Sequence, residues 1–339
     1  KMDKKFSIKV CFFLFFFISS IFFLNILVDP LWYFKGNKIT KVNYTFNERL
    51  TKFNLFYFIK KDIKYDCIIF GSSISTTIND RKFKKNKCFN FSFSAGGIHE
   101  YIIYLEYLEF INLLPKKIYL ELPIFVNSKH LEYFETLNTK FPSIEKISFI
   151  PPISTKNLIT TSSEFLGDRK KQSNSKIIND YNLDLIPKFI KNKTAPDQYW
   201  KYYLSLKSFS FSIRSLFKNS NYTNAYDKNF LSFVRKDKIG KFGNDLEKLN
   251  LSKNTITEVV NNRLKVIEYF EKVYDFSLPN SFINDPSNTY DGSHYFRSFI
   301  SNLPDFMENS NLKFGTVIDS QNYSIIFKKS LNTYLNEIN

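Results

Sequence analysis

Hydrophobic and polar positions fall into three kinds of block along this chain. The first is a continuous apolar run from Ile8 to Val28, reading IKVCFFLFFFISSIFFLNILV. A helix of about 20 such residues crosses a bilayer core. Its one charge, Lys9, lies near its start, where the side chain can snorkel to the headgroups. The second kind is a short apolar run closed by turn residues. Asp66 to Phe70 stops at Gly71, and Lys87 to Phe93, with Phe89, Phe91 and Phe93 alternating, stops at Ser94-Ala95-Gly96-Gly97. Ile118 to Leu122 stops at Pro123. Each pattern predicts a strand. The third kind is helical: His99 to Leu114 places Ile102, Leu105 and Leu108 on one face, and Pro115 ends it.

Strand, turn, helix and strand in that order predict a parallel sheet with helical crossovers, hence an α/β fold. Active sites of open parallel sheets lie at the carboxyl ends of the strands. Gly71, the Ser94–Gly97 turn and Pro123 should share that edge. Residues 127–250 are rich in Lys, Asn, Ser and Phe without a clear period, and read as a large, mostly helical insertion or lid. Thr255-Ile256-Thr257-Glu258 has the form of a capping box. Ile256, Val259, Val260, Leu264 and Ile267 then form the apolar face of a helix that returns the chain to the sheet. The expected organisation is an anchor over 1–34 and one α/β domain over 35–339.

Charge gives the anchor a direction. Lys1, Lys4, Lys5 and Lys9 precede or open the apolar run, so the N-terminus should stay in the cytoplasm and the domain should be exported. No A-x-A-like triplet follows the run, where Asp29-Pro30-Leu31-Trp32-Tyr33-Phe34 stands instead. An uncleaved single-pass anchor is therefore expected rather than a signal peptide. The formal net charge of +16 reads as a compositional bias, because the lysines are scattered and form no stripe. No nucleic-acid motif accompanies it. No metal-ligand spacing or Gly-rich phosphate loop is present either, so no cofactor is expected. Cys67 and Cys88 lie in apolar strand-like runs. They are expected as buried free thiols on neighbouring strands, away from the active edge, rather than as a disulfide.

Two patterns carry chemistry. Ile68-Ile69-Phe70-Gly71-Ser72-Ser73-Ile74-Ser75 puts serines in the turn after a strand, where backbone N–H groups can face an oxyanion. Such turns are also common helix caps. Tyr290-Asp291-Gly292-Ser293-His294 puts a carboxylate and an imidazole three residues apart, close enough to serve one site as orienter and general base. Glu121, at a strand end, is either a site carboxylate or the ion-pair partner of a lysine. His99 could line the cleft but suits a surface or capping role better, and His130 falls on the insertion.

Taken together these blocks resemble the SGNH/GDSL superfamily of esterases and acyltransferases. Gly71-Ser72-Ser73 resembles its first block, with Ser73 at the nucleophile and Ser72 in place of the usual Asp, as in a membrane-anchored branch. Asn90-Phe91-Ser92-Phe93-Ser94-Ala95-Gly96-Gly97 resembles the second block and Asp291 to His294 the last. Asp29-Pro30 after the anchor and Phe314-Gly315-Thr316-Val317-Ile318 also resemble that branch. The resemblance covers both ends of the domain and not its middle. It implies a flavodoxin-like three-layer sandwich and a triad of Ser73, Asp291 and His294. It implies an oxyanion hole from the N–H groups of Ser73 and of Ala95 or Gly96. The superfamily's Gly-x-Asn after the third strand is absent. Phe125 stands where the Asn would be, and Asn127 is the nearby amide. The implied activity is acyl-ester hydrolysis or O-acyl transfer on a cell-surface polysaccharide. The implied partners are an acylated or acceptor glycan and, as a further candidate, a membrane-bound acyl-donor protein. The alternative is a catalytically inactive assembly or glycan-binding protein that keeps the fold.

Overall fold

The computed structural model describes residues 4–34, 36–40, 48–60, 63–94, 96–123, 126, 128–152, 203–204, 206–217, 261–262, 264–277, 281–283, 285, 288, 295–309 and 315–336. Its elements run α1 (Lys4–Val28), α2 (Glu48–Asn54), β1 (Cys67–Phe70), β2 (Cys88–Asn90), α3 (Ile98–Phe110), β3 (Lys117–Glu121), α4 (Ser128–Lys140) and β4 (Glu145–Ile150). Then come α5 (Leu206–Phe217), β5 (Lys272–Asp275), α6 (Arg297–Ile300), α7 (Leu303–Asn309), β6 (Thr316–Ile318) and α8 (Tyr323–Asn336). The chain divides into two compact units. One comprises Lys1–Ile63 with Ile178–Ala225, the other Lys64–Ile177 with Tyr226–Asn339.

The larger unit is an α/β domain built on one six-stranded sheet of order β2-β1-β3-β4-β5-β6. The first five strands pair in parallel, and β6 runs antiparallel to β5. Both sheet faces are apolar, as parallel strands covered on two sides require. Ile68, Phe70, Phe89 and Phe91 point to one face, where Phe70 stacks on Tyr101 at 4.9 Å and Phe91 meets Tyr104 at 4.7 Å, both from α3. Ile69, Tyr119, Phe149 and Phe276 belong to the other core, shared with Ile300, Leu303 and Met307. The strands expected at 66–70 and 118–122 are present, and the one expected at 87–93 is shorter, covering Cys88–Asn90. The helix after the glycine turn is present too, although it ends at Phe110.

Two expectations need correction. The segment read as an insertion from residue 127 supplies α4 and β4 to the domain itself. β4 pairs along its length with β3, from Lys117↔Glu145 to Glu121↔Phe149. Glu145-Lys146-Ile147-Ser148-Phe149-Ile150 mixes charged, hydroxyl and apolar residues, so neither strand template stood out although five of the six are buried. The second correction concerns the cysteines, which are joined as a Cys67–Cys88 disulfide. They open β1 and β2 and are direct partners in the parallel register, with Cα atoms 4.5 Å apart. Apolar context alone could not reveal that register. Their place on neighbouring strands, at the ends away from the Gly71 turn, is as expected. The capping box at Thr255–Glu258 lies outside the described residues.

The smaller unit holds α1, which is long and apolar enough to span a membrane over Lys5–Val28. Asp29 follows it with a positive φ of 46°. Its buried carboxylate accepts the N–H groups of Tyr33 (2.9 Å), Phe34 (2.8 Å) and Gly36 (2.6 Å), and the Tyr203 hydroxyl. This folds the chain back sharply at the helix end. Burial raises the Asp29 carboxyl above the ordinary carboxylate range, against the pull of those four donors.

Candidate functional site

The chain leaves β1 toward β2 on one side and then returns to β3 on the other side of β1. Such a reversal opens a crevice at the carboxyl ends of the two central strands. Gly71-Ser72-Ser73 follows β1 and Glu121 closes β3, so the serine turn and this carboxylate share that sheet edge. The register places Phe70 beside Leu120, one residue before each.

Glu121 organises the turn. Its Oε2 accepts the Ser72 N–H at 2.9 Å, and its two oxygens accept the Ser72 and Ser75 hydroxyls in short hydrogen bonds. Ser75 is fully buried and Glu121 nearly so. The partners observed for Glu121 are Ser72 and Ser75 rather than a lysine. Gly71 is required for space rather than for conformation. A Cβ there would run into the Ser75 side chain and Glu121 Oε2. Thr76 Oγ1 donates to the Ser73 carbonyl at 2.7 Å, closing the turn that carries Ser73, which is half-buried.

Asn90, at the end of β2, ties down the far side. Its amide donates to the Ser75 and Ile78 carbonyls at 2.8 and 2.9 Å, and its Oδ1 accepts the Ser92 N–H at 3.0 Å. In the sequence Asn90 stands only as one residue of the second block, with no role of its own. The signal was a polar residue at the end of an otherwise apolar strand. The second block does meet the first: Phe93 N–H donates to the Gly71 carbonyl at 3.0 Å, and a Cβ on Gly96 would approach that same carbonyl. The Gly96 N–H, however, donates to the Phe93 carbonyl at 3.1 Å within its own turn. Gly97 N–H goes to Glu100 at 2.9 Å, capping α3. His99 is exposed in the first turn of α3, beside Tyr133 at 5.8 Å between ring centres.

Ala95, Phe125, Asn127, Asp291 and His294 lie outside the described residues. Their neighbours are informative. Tyr295, the residue after His294, is buried in the core that contains Ile78, and Ile74 packs against that core. Helix α6 touches the short helical turn Ser75–Thr77. Lys82 Nζ donates to Asn302, and Glu308 accepts the N–H groups of Lys84 (2.6 Å) and Lys85 (3.1 Å). Chain separated by more than two hundred residues is thus fastened onto the segment that follows Ser73.

Burial raises the Glu121 carboxyl above its ordinary value of 4.5, and the hydrogen bonds from Ser72 and Ser75 offset part of that rise. The linkage sign follows. Above the unfolded carboxylate value and up to the folded one, the native state holds a proton that the unfolded state has lost. Stability should therefore fall as pH rises through that window. Urea titrations at a series of pH values should show this decline in the wild type and a flatter profile in Glu121→Gln. Identical slopes in the two would contradict it.

Comparison with family models, with characterised proteins and with solved structures gives no significant match for this chain.

Proposed function

We propose that the chain is an exported, membrane-anchored SGNH-type acyl-ester hydrolase or O-acyltransferase acting on a cell-surface polysaccharide. In this reading Ser73 attacks the acyl carbonyl and His294 takes its proton. Asp291 holds the imidazole and stabilises its charged form. The developing oxyanion is met by backbone N–H groups of Ser73 and Ala95. Collapse expels the alcohol, with His294 returning the proton. Water then resolves the acyl-enzyme in a hydrolase, a sugar hydroxyl in a transferase.

The observation that carries the proposal is the convergence of Tyr295 and α6 on the segment that follows Ser73. Tyr295, the residue that follows the last block, thereby joins a core that also packs against the segment after the first block. The order β2-β1-β3-β4-β5 supports the same reading, being that of flavodoxin-like sheets. The disulfide supports export, since such bonds persist in oxidising compartments. The lysines at the N-terminal end of the apolar helix support a cytoplasmic N-terminus and an α/β domain on the periplasmic or outer side.

A second reading, an inactive member of the fold that assembles with or binds a glycan, draws on two features. Phe125 stands in place of the oxyanion amide, and the Gly96 N–H is committed within its turn. A fluorophosphonate probe separates the two. The full chain in detergent should label covalently at Ser73, as mapped by peptide mass, and Ser73→Ala should not label. A folded wild type that stays unlabelled would favour the inactive reading.

A further inference from the structure

The apolar helix α1 is exposed from Ile8 to Ile18, as is Phe6, with Phe13 and Phe15 the most open of its rings. Its last third is different. Ile21, Asn25 and Val28 are buried, four and three residues apart, so they share one face. α5 packs there. Asn25 is fully buried; its amide donates to the Tyr203 carbonyl at 2.7 Å, and its oxygen accepts the Ser212 hydroxyl at 2.7 Å.

Helix geometry fixes where this contact falls. The stretch before Ile21 that faces outward, Phe6 to Ser20, is about 22 Å long at 1.5 Å per residue. A bilayer core is about 30 Å thick. If α1 spans, the core must extend to roughly Asn25, and α5 meets it at that depth. Two observations agree. Phe23 and Leu27 are still 62% and 46% exposed beside the α5 contact, a continuation of the apolar surface below. On the other chain segment Leu204 and Leu206 are 52% and 65% exposed. A polar Asn25 at that level would be costly in hydrocarbon unless paired, and the bonds to Tyr203 and Ser212 pair it.

We propose that α5 is a second membrane-embedded element, seated against α1 in the outer leaflet, with Leu204 and Leu206 facing lipid. The occupant of this surface is the acyl-chain and headgroup boundary of the bilayer. Phe209, Ile213 and Leu216, at helical spacing, are each half-buried and would extend the same contact. The inference rests on α1 spanning the membrane and does not depend on the chemistry proposed for Ser73.

Spin labelling of the full chain in liposomes tests it, in a Cys11→Ser background with Cys67 and Cys88 left in their disulfide. Labels at Leu206→Cys, at Phe15→Cys as a bilayer reference, and at the exposed Gln321→Cys as an aqueous reference are compared by power saturation with oxygen and a nickel chelate. The expected result is an oxygen-to-nickel accessibility ratio at position 206 severalfold above that at 321 and close to that at 15. A ratio at 206 equal to that at 321, with 15 in lipid, would overturn the α5 proposal while leaving the anchor intact. An aqueous signal at 15 would overturn both. If Leu206→Cys fails to fold, the same readout at Leu204→Cys decides.

Discussion

Glu121→Ala should lower the rate of fluorophosphonate labelling at Ser73 by about 100-fold, the order expected when a reacting group is misplaced by about 1 Å. It should also destabilise the domain by roughly 2 kcal/mol. Both effects have one cause. Alanine leaves the Ser72 N–H and the Ser72 and Ser75 hydroxyls facing a void instead of a carboxylate. The hydroxyls can rotate toward other acceptors, but the Ser72 N–H is fixed by the turn and bears the desolvation cost. Glu121→Gln is the informative control. Oε2 receives two donors and Oε1 one, so an amide oxygen at the first position and an amide nitrogen at the second can keep all three contacts, with the Ser72 hydroxyl accepting. Labelling in Glu121→Gln should stay within about threefold of wild type, because no partner is left unmade. Equal losses in both variants would mean that the carboxylate acts by charge and not by shaping the turn.

The residues that could be read ahead of the structure were those whose environment is uniform. The β1 run is buried at all four positions, and its turn carries a glycine because a Cβ has nowhere to go. A local pattern records both facts. Glu121 shows where local reading stops: a carboxylate ending a strand looks the same whether it faces a lysine or a serine turn from another strand. Only the β1–β3 register chooses between them. Asn90 is similar, because its partners Ser75 and Ile78 lie across a loop and its bonds go to their backbone carbonyls, which have no sequence signature. β4 was hidden because Lys146 is buried there with its ammonium on the Phe141 and Ile144 carbonyls, at 2.6 and 3.0 Å. A lysine in an inward position breaks the apolar run that would have marked the strand. The α1–α5 pair was invisible for the same reason, since Asn25 and Ser212 are 187 residues apart and neither is unusual alone.

Removing the disulfide should cost about 3 kcal/mol, the chain-entropy value for a closed loop of this size. The two cysteines are 21 residues apart in sequence, and both are buried. A Cys67→Ala, Cys88→Ala variant is the suitable test, because alanine brings no hydroxyl into an apolar site. Its urea midpoint should fall in proportion, and reductant should lower the wild-type midpoint by a similar amount while leaving the variant unchanged. The loop closed by the bond contains Gly71, Ser72, Ser73 and Ser75, along with Asp80, whose carboxylate accepts the Asn90 N–H at 3.1 Å. Loosening it should therefore reach the site as well. Probe labelling at Ser73 should slow in the variant at urea concentrations where the wild type is still fully labelled, and match it in the absence of urea. The parallel pairing of β1 with β2 and β3 keeps the turn in place while the domain is folded. The disulfide then acts mainly on the unfolded chain, which is why stability rather than native geometry should change. A variant with unaltered stability would show that the bond does not restrict the unfolded chain. A variant slowed equally with and without urea would instead assign the bond a part in shaping the native turn.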